Sequence, residues 1–387
     1  MTVRTMATVA LTVAAMLPVG TAQSVRSTVT ADRVMYRLQP PEGYAATWAS
    51  LLSEKGHVVG SARDASQQNV VEVRWEPDGR ATPLTGLGSK WVTPRAVNDD
   101  GIIGGFASTP DEKTHAVTWD ASGTPRRLQE PDGYLQSRVE DINNQHVATG
   151  TLSDRSDDSW AARWDRDGKP TLLEKPPGAI RTFATGINDS GEIIGHAVFP
   201  HTISTAAVRW DPNGKATYLG IGPYPHIAHA WDINNRGTVV GDTYEPVTGD
   251  SRAARALRCC VFRMMAGASD NSYAYEVNNR DVFLGRTKIG DITQTVRWDS
   301  SGGMVVMKPT PGEERPSVVA LNDPGLAVGS SKSHAAVWDT AGNATHLPDE
   351  IPGGSYRSRA DKINNAGQII GNVDHWEFPY SSAVIWR

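Results

Sequence analysis

Residues 186–195 read GINDSGEIIG, and residues 232–241 read DINNRGTVVG. Aligning the chain with itself finds eight such segments, ending at Gly60, Gly105, Gly150, Gly195, Gly241, Gly285, Gly329 and Gly371. Successive glycines stand 42 to 46 residues apart, which marks an array of one supersecondary unit. A second motif follows ten to fifteen residues after each glycine, as in AVRWDPNGKATYL at 207–219. The last unit stops at SAVIWR, residues 382–387, and the fifth reads ARALRCCVFRMM at 254–265. That fifth unit has lost both the tryptophan and the turn glycine.

Both motifs contain an Asx residue that opens four residues closed by glycine, the preference of a type I turn. The Asx oxygen can accept from N–H groups ahead of it, and the glycine can take the left-handed conformation that closes a hairpin through a bulge. In Asp211-Pro212-Asn213-Gly214 the proline stands second, where its fixed φ suits the turn. His146 and Asp281 replace the turn glycine in two units, and both types tolerate left-handed geometry. Pro324 stands third in its turn, where type I geometry disfavours proline, so a deviation is expected there.

Short β-prone stretches flank each turn, such as Ile187 and Ile193-Ile194 around one and Val208 and Leu219 around the other. Each unit therefore reads as four antiparallel strands in about 45 residues, the size of a β-propeller blade. The final unit is one strand short, while VMYRLQPPEGY at 34–44 matches PRRLQEPDGY at 125–134, where RRL ends a unit. Residues 34–38 are thus expected to complete the last of eight four-stranded blades and close the ring. Closure removes the open sheet edges that the alternative, a linear solenoid, would expose. Trp75, Trp119, Trp164, Trp210, Trp298, Trp338 and Trp386 occupy one position of the third strand. One per unit suits packing between blades, each burying roughly 150–250 Å², or about 4–6 kcal/mol at most.

The repeats resemble the bacterial extracellular HAF family, whose units carry an IN-x-x-G-x-V-V-G segment and a His-Ala-Phe stretch before a tryptophan. Here these are INNRGTVVG at 233–241, HAVTW at 115–119 and HAAVW at 334–338, with Val or Ala in the Phe position. The resemblance covers essentially the whole chain beyond its start. It implies export and a repetitive β-structure, and assigns no activity or catalytic residue.

Export is also what the start of the chain suggests. Residues 1–22 hold Arg4, an apolar run from Met6 to Val19 and the small residues Gly20 and Ala22, the pattern of a signal peptide. The run is shorter than the roughly 20 residues of a membrane span. Residues 23–32 then read as a flexible segment and 33–387 as one propeller domain. A formal net charge of −5 without a basic run argues against nucleic-acid binding. The two cysteines, Cys259 and Cys260, are adjacent in the atypical fifth unit; they form either a vicinal disulfide or two small strand residues.

With the first strand innermost, both tight turns of a blade fall on one face and the longer, variable connections on the other. Function is expected on that second face. The residues five and three before each Asx would line the channel mouth, and they differ from unit to unit. The candidate ligand-binding residues are Arg95, Arg138, Glu140, His229, Trp231, Tyr273, Arg359 and Asp361, with Trp376 from the loop NVDHWEFPYS. Glu140 and Asp361 are the carboxylates that could face each other across the channel. No nucleophile elbow, zinc motif or phosphate loop occurs, and several turns lack any carboxylate for calcium. The expectation is an exported, monomeric module that needs no cofactor and binds a surface glycan or protein. The alternative is a polysaccharide hydrolase or lyase acting at the channel mouth.

Overall fold

A computed structural model describes residues 33–387 apart from 157, 201–204, 221–227, 246–249, 259–260, 314, 351–354 and 376–380. Cys259, Cys260 and Trp376 lie outside the described residues. The chain forms eight antiparallel four-stranded sheets, seven of them meanders in sequence order. These are blades 1 to 7, at 46–83, 92–127, 134–172, 181–218, 228–264, 273–306 and 317–346. Blade 8 is built from Ser355–Ile363, Ile369–His375 and Ser381–Trp386, with Met35–Arg37 as its outer strand. Met35 pairs with Trp386 and Arg37 with Val384, so the chain start closes the ring as expected. The chain is an eight-bladed β-propeller.

The two repeated glycines of each unit serve different purposes. Gly191 takes a φ of +79°, and its N–H closes the turn onto the Asn188 carbonyl at 3.0 Å. His146 and Asp281 adopt φ values of 61° and 56° in its place. Gly195, the last residue of the motif, is needed for close approach. Its partner strand shifts register between Ala184 and Gly186, and a Cβ at Gly195 would lie 1.9 Å from the Phe183 carbonyl oxygen. All eight first strands carry this bulge, and all eight glycines meet a carbonyl at 1.8–2.3 Å.

The Pro324 turn does not deviate. Asn322 N–H still donates to Leu326 O and Gly325 N–H to Asn322 O, both at 3.0 Å. Proline lacks only an N–H like that of Asp100, which elsewhere donates to the leading asparagine at 3.1 Å.

The turns also link the blades. Asn98, Asn143, Asn188, Asn234, Asn278 and Asn322 each donate their side-chain amide to the carbonyl of the equivalent asparagine one blade on, at 2.7–3.1 Å. Asn364 donates to Ser53 and Glu54 of blade 1. The next position makes a closed circuit, in which each backbone N–H donates to the following blade's side-chain oxygen at 2.7–2.9 Å. It runs from Glu54 through Asp99, Asn144, Asp189, Asn235, Asn279, Asp323 and Asn365 back to Glu54. The Asn-Asx pair is therefore a belt around one end of the channel as well as a hairpin signal.

The seven motif tryptophans are fully buried. Each donates Nε1–H to a carbonyl just beyond the outer strand of the preceding blade, as Trp210 does to Glu174 at 2.8 Å. Blade 5 keeps this contact by another route. Ala256 stands at the tryptophan register opposite Val239, and buried Phe262 packs into the same cluster with Leu219 and Val239. The Phe262 backbone N–H donates to Leu219 O at 2.8 Å, in place of the missing indole. The outer strand, Arg263–Met264, shrinks to two residues but the blade remains four-stranded.

Candidate functional site at the channel mouth

In each first strand the bulged residue is the one three before the Asx, as Arg95, Glu140, Trp231 and Asp361 are, and the candidates five before the Asx stand beside it. Arg95 and Glu140, on neighbouring blades, form an ion pair at 2.8 Å, so Glu140 already has a partner. Arg359 pairs with Asp361 at 3.2 Å, and Asn372 donates to the same carboxylate at 2.6 Å. Arg138 stacks over Phe106 at 5.2 Å, and Tyr273 lies 6.1 Å from Tyr275. Tyr275 is anchored by its hydroxyl, which donates to Val318 O at 2.6 Å.

The most organised group is in blade 5. His229 faces Asp242 directly across the strand pair, with Nδ1 3.1 Å from Oδ2. Trp231 donates Nε1–H to the other oxygen, Oδ1, at 2.6 Å. The carboxylate is 7% exposed and can only accept, so it fixes both rings by their edges. Their faces stay open, with Trp231 54% exposed and its ring 5.6 Å from that of His229. The hydrogen bond to Asp242 raises the His229 pKa above its ordinary value. On blade 4, Phe183 stacks on His196 at 4.9 Å, and burial lowers the His196 pKa.

A polar cavity of about 530 Å³ opens where blades 7 and 8 meet blade 1. Its lining includes Trp48, Ser317 and Arg359, three consecutive members of the set five residues before the Asx. Arg315, Arg357 and Asp374 also line it. Arg63 covers Trp48 at 5.1 Å from the ring centre. Blade 7 turns back here through only Lys332 and Ser333, both left-handed at φ 55° and 65°.

Lower in the channel stand carboxylates that sequence reasoning missed. Asp141 accepts from Ile187 N–H at 2.9 Å, Asp232 from Val277 N–H and Glu276 from Leu321 N–H, both at 2.8 Å. Each reaches one blade onward. Burial pushes Asp141 and Glu276 up to about 7 and raises Asp232, against the opposing pull of Lys362 on Asp232 and Glu276. These residues stand two before the Asx, where the other five units have Leu51, Ala96, Gly186, Ala320 and Lys362. That contrast was the available signal. Among the described residues no three His, Cys, Asp or Glu side chains converge as metal ligands.

No protein-family model matches the chain, and no curated protein matches it in sequence. Solved propellers do match in shape. The β-propeller domain of the Trilobed protease from Pyrococcus furiosus is 11% identical with a TM-score of 0.50, over 79% of this chain and 97% of that one. Porphyromonas gingivalis dipeptidyl peptidase 4 is also 11% identical with a TM-score of 0.54, over 85% of this chain and 56% of its own. Virginiamycin B lyase from Staphylococcus aureus is 15% identical with a TM-score of 0.41, over 92% and 99%. At such identities the likeness extends to the fold. Among the described residues no helix is long and apolar enough to cross a membrane.

Proposed function

We propose that the chain is an exported propeller of the HAF-repeat kind that binds a surface glycan through its loop face. The observation that carries this reading is the His229–Asp242–Trp231 group. The Trp231 indole is exposed while its only donor is already committed to a buried carboxylate. What remains is a pre-positioned apolar face beside an imidazole edge, suited to stacking on a sugar ring. The seven equivalent first strands carry different side chains, as one specific site in a ring of copies requires.

The test is a binding screen of the mature protein against cell-wall and plant polysaccharides, repeated with Trp231→Ala. Binding that weakens at least tenfold in the variant supports the reading. Binding unchanged in W231A, or found only for a protein partner, overturns it.

A second reading, a polysaccharide hydrolase or lyase, is favoured by one feature. His229 has its Nδ1 held by a carboxylate, and its Nε2 has no partner among the described residues, the arrangement of an oriented general base. New reducing or unsaturated ends formed from a bound glycan by the wild type and not by His229→Gln would establish it.

A further inference from the structure

We infer that the cavity between blades 7, 8 and 1 is a separate subsite for a carboxylate-bearing sugar, a uronate residue of an acidic polysaccharide. The inference names the ligand class of the loop face and rests on that face being the binding surface.

Three guanidinium groups, Arg315, Arg357 and Arg359, line one cavity of about 530 Å³. Among the described residues only Arg359 of the three has an ion partner, Asp361 at 3.2 Å. Among the described residues Arg315 and Arg357 have no hydrogen-bond or ion-pair partner and are exposed. Their planar forks match a carboxylate in two-point geometry. The volume falls in the range of small-molecule sites, about 300–1,000 Å³. Trp48 supplies an aromatic wall, and Arg63 stacked on it adds a fourth positive group.

The acids of the cavity narrow the ligand further. Glu313 is turned inward, accepting from the Ser331 hydroxyl and Lys332 N–H. Asp374 lines the cavity and has no side-chain partner among the described residues. It would repel a bare anion but can accept from a hydroxyl. A uronate presents both halves, a carboxylate for the arginines and hydroxyls for Asp374, with an apolar ring face for Trp48. Trp48 on blade 1 lies opposite blade 5 in the ring while the arginines lie at blades 7 and 8, so one chain that spans the mouth reaches both this subsite and the Trp231 shelf.

The experiment is calorimetric titration of the mature protein with alginate, polygalacturonate and hyaluronan oligosaccharides and their carboxyl-reduced counterparts. The variants are Arg315→Gln/Arg357→Gln, Arg357→Lys and Trp231→Ala, each checked by circular dichroism. Uronate binding is expected to exceed that of the reduced sugar by at least about tenfold and to weaken with salt. The double variant should erase that preference and keep the residual neutral-sugar affinity, with R357K intermediate. Equal affinity for acidic and reduced sugars, an unchanged double variant, or no uronate binding overturns the inference. If a neutral glycan binds and is lost in W231A alone, the loop-face reading stands and this one falls. If no glycan binds, both fall. Preference for a sulfated oligosaccharide over every uronate also overturns it.

Discussion

Phe262→Ala tests whether blade 5 is held by a substitute for the missing tryptophan. Phe262 is fully buried among Leu219, Ala228, Ile233, Val239 and Ala256, at the joint between blades 4 and 5. Removing its ring loses about 2–3 kcal/mol of apolar burial, and the cavity left between two rigid sheets adds to it. The total expected is about 3–5 kcal/mol. The backbone bond to Leu219 O survives the change, so the loss reports packing alone. Two residues on, Met264 is 51% exposed on the adjoining outer strand, and Met264→Ala should cost less than about 0.5 kcal/mol. Urea unfolding followed by tryptophan fluorescence and far-ultraviolet circular dichroism measures both. If F262A falls within 1 kcal/mol of wild type, or matches M264A, blade 5 is not anchored by Phe262 and the reasoning fails.

Gly195→Ala should abolish soluble folded protein, because its Cβ would lie 1.9 Å from a carbonyl, whereas Gly191→Ala should cost only about 1 kcal/mol of left-handed strain; expression yield and unfolding midpoints separate the two. His229 should titrate above its ordinary pKa of about 6.5 in NMR and return toward it in Asp242→Asn. Because the folded value is raised, its stabilising contribution is full below the unfolded pKa and fades as pH rises through the folded one. Asp141 and Glu276 are raised to about 7, so the folded state binds more protons and stability should fall as pH rises from about 4 to 7. D141N/E276Q should flatten that fall, and identical pH profiles would contradict the assignment.

The sequence carried the fold because a propeller writes the same constraint eight times. The period, the tryptophan register and the match of residues 34–38 with a blade's fourth strand were each visible in one chain. The turn at Asn188 was legible as a hairpin, but its neighbour-to-neighbour belt was not, since a local pattern cannot show what lies one blade away. Gly195 was legible as a repeated position but not as a steric one, because the bulge in the opposing strand that requires it leaves no local pattern. In the site, His229 and Trp231 share the first strand of blade 5 and are joined through one carboxylate. Asp242, which organises them, sits on the next strand just after a repeated glycine and bore no mark except its charge. Glu140 and Asp361, the carboxylates that could face each other across the channel, are each paired with an arginine, and the buried acids stand at the next register position, at Asp141 and Asp232.

The central claim is that ligand is held at the loop face around the channel mouth. Hydrogen–deuterium exchange of the protein, with and without a saturating amount of the tightest-binding oligosaccharide, tests it directly. The account predicts slowed exchange in residues 228–231, 330–334 and 357–361, with none in the belt turns at 98–102 and 188–192. Protection confined to the belt turns, or spread evenly around the outer strands, would contradict it.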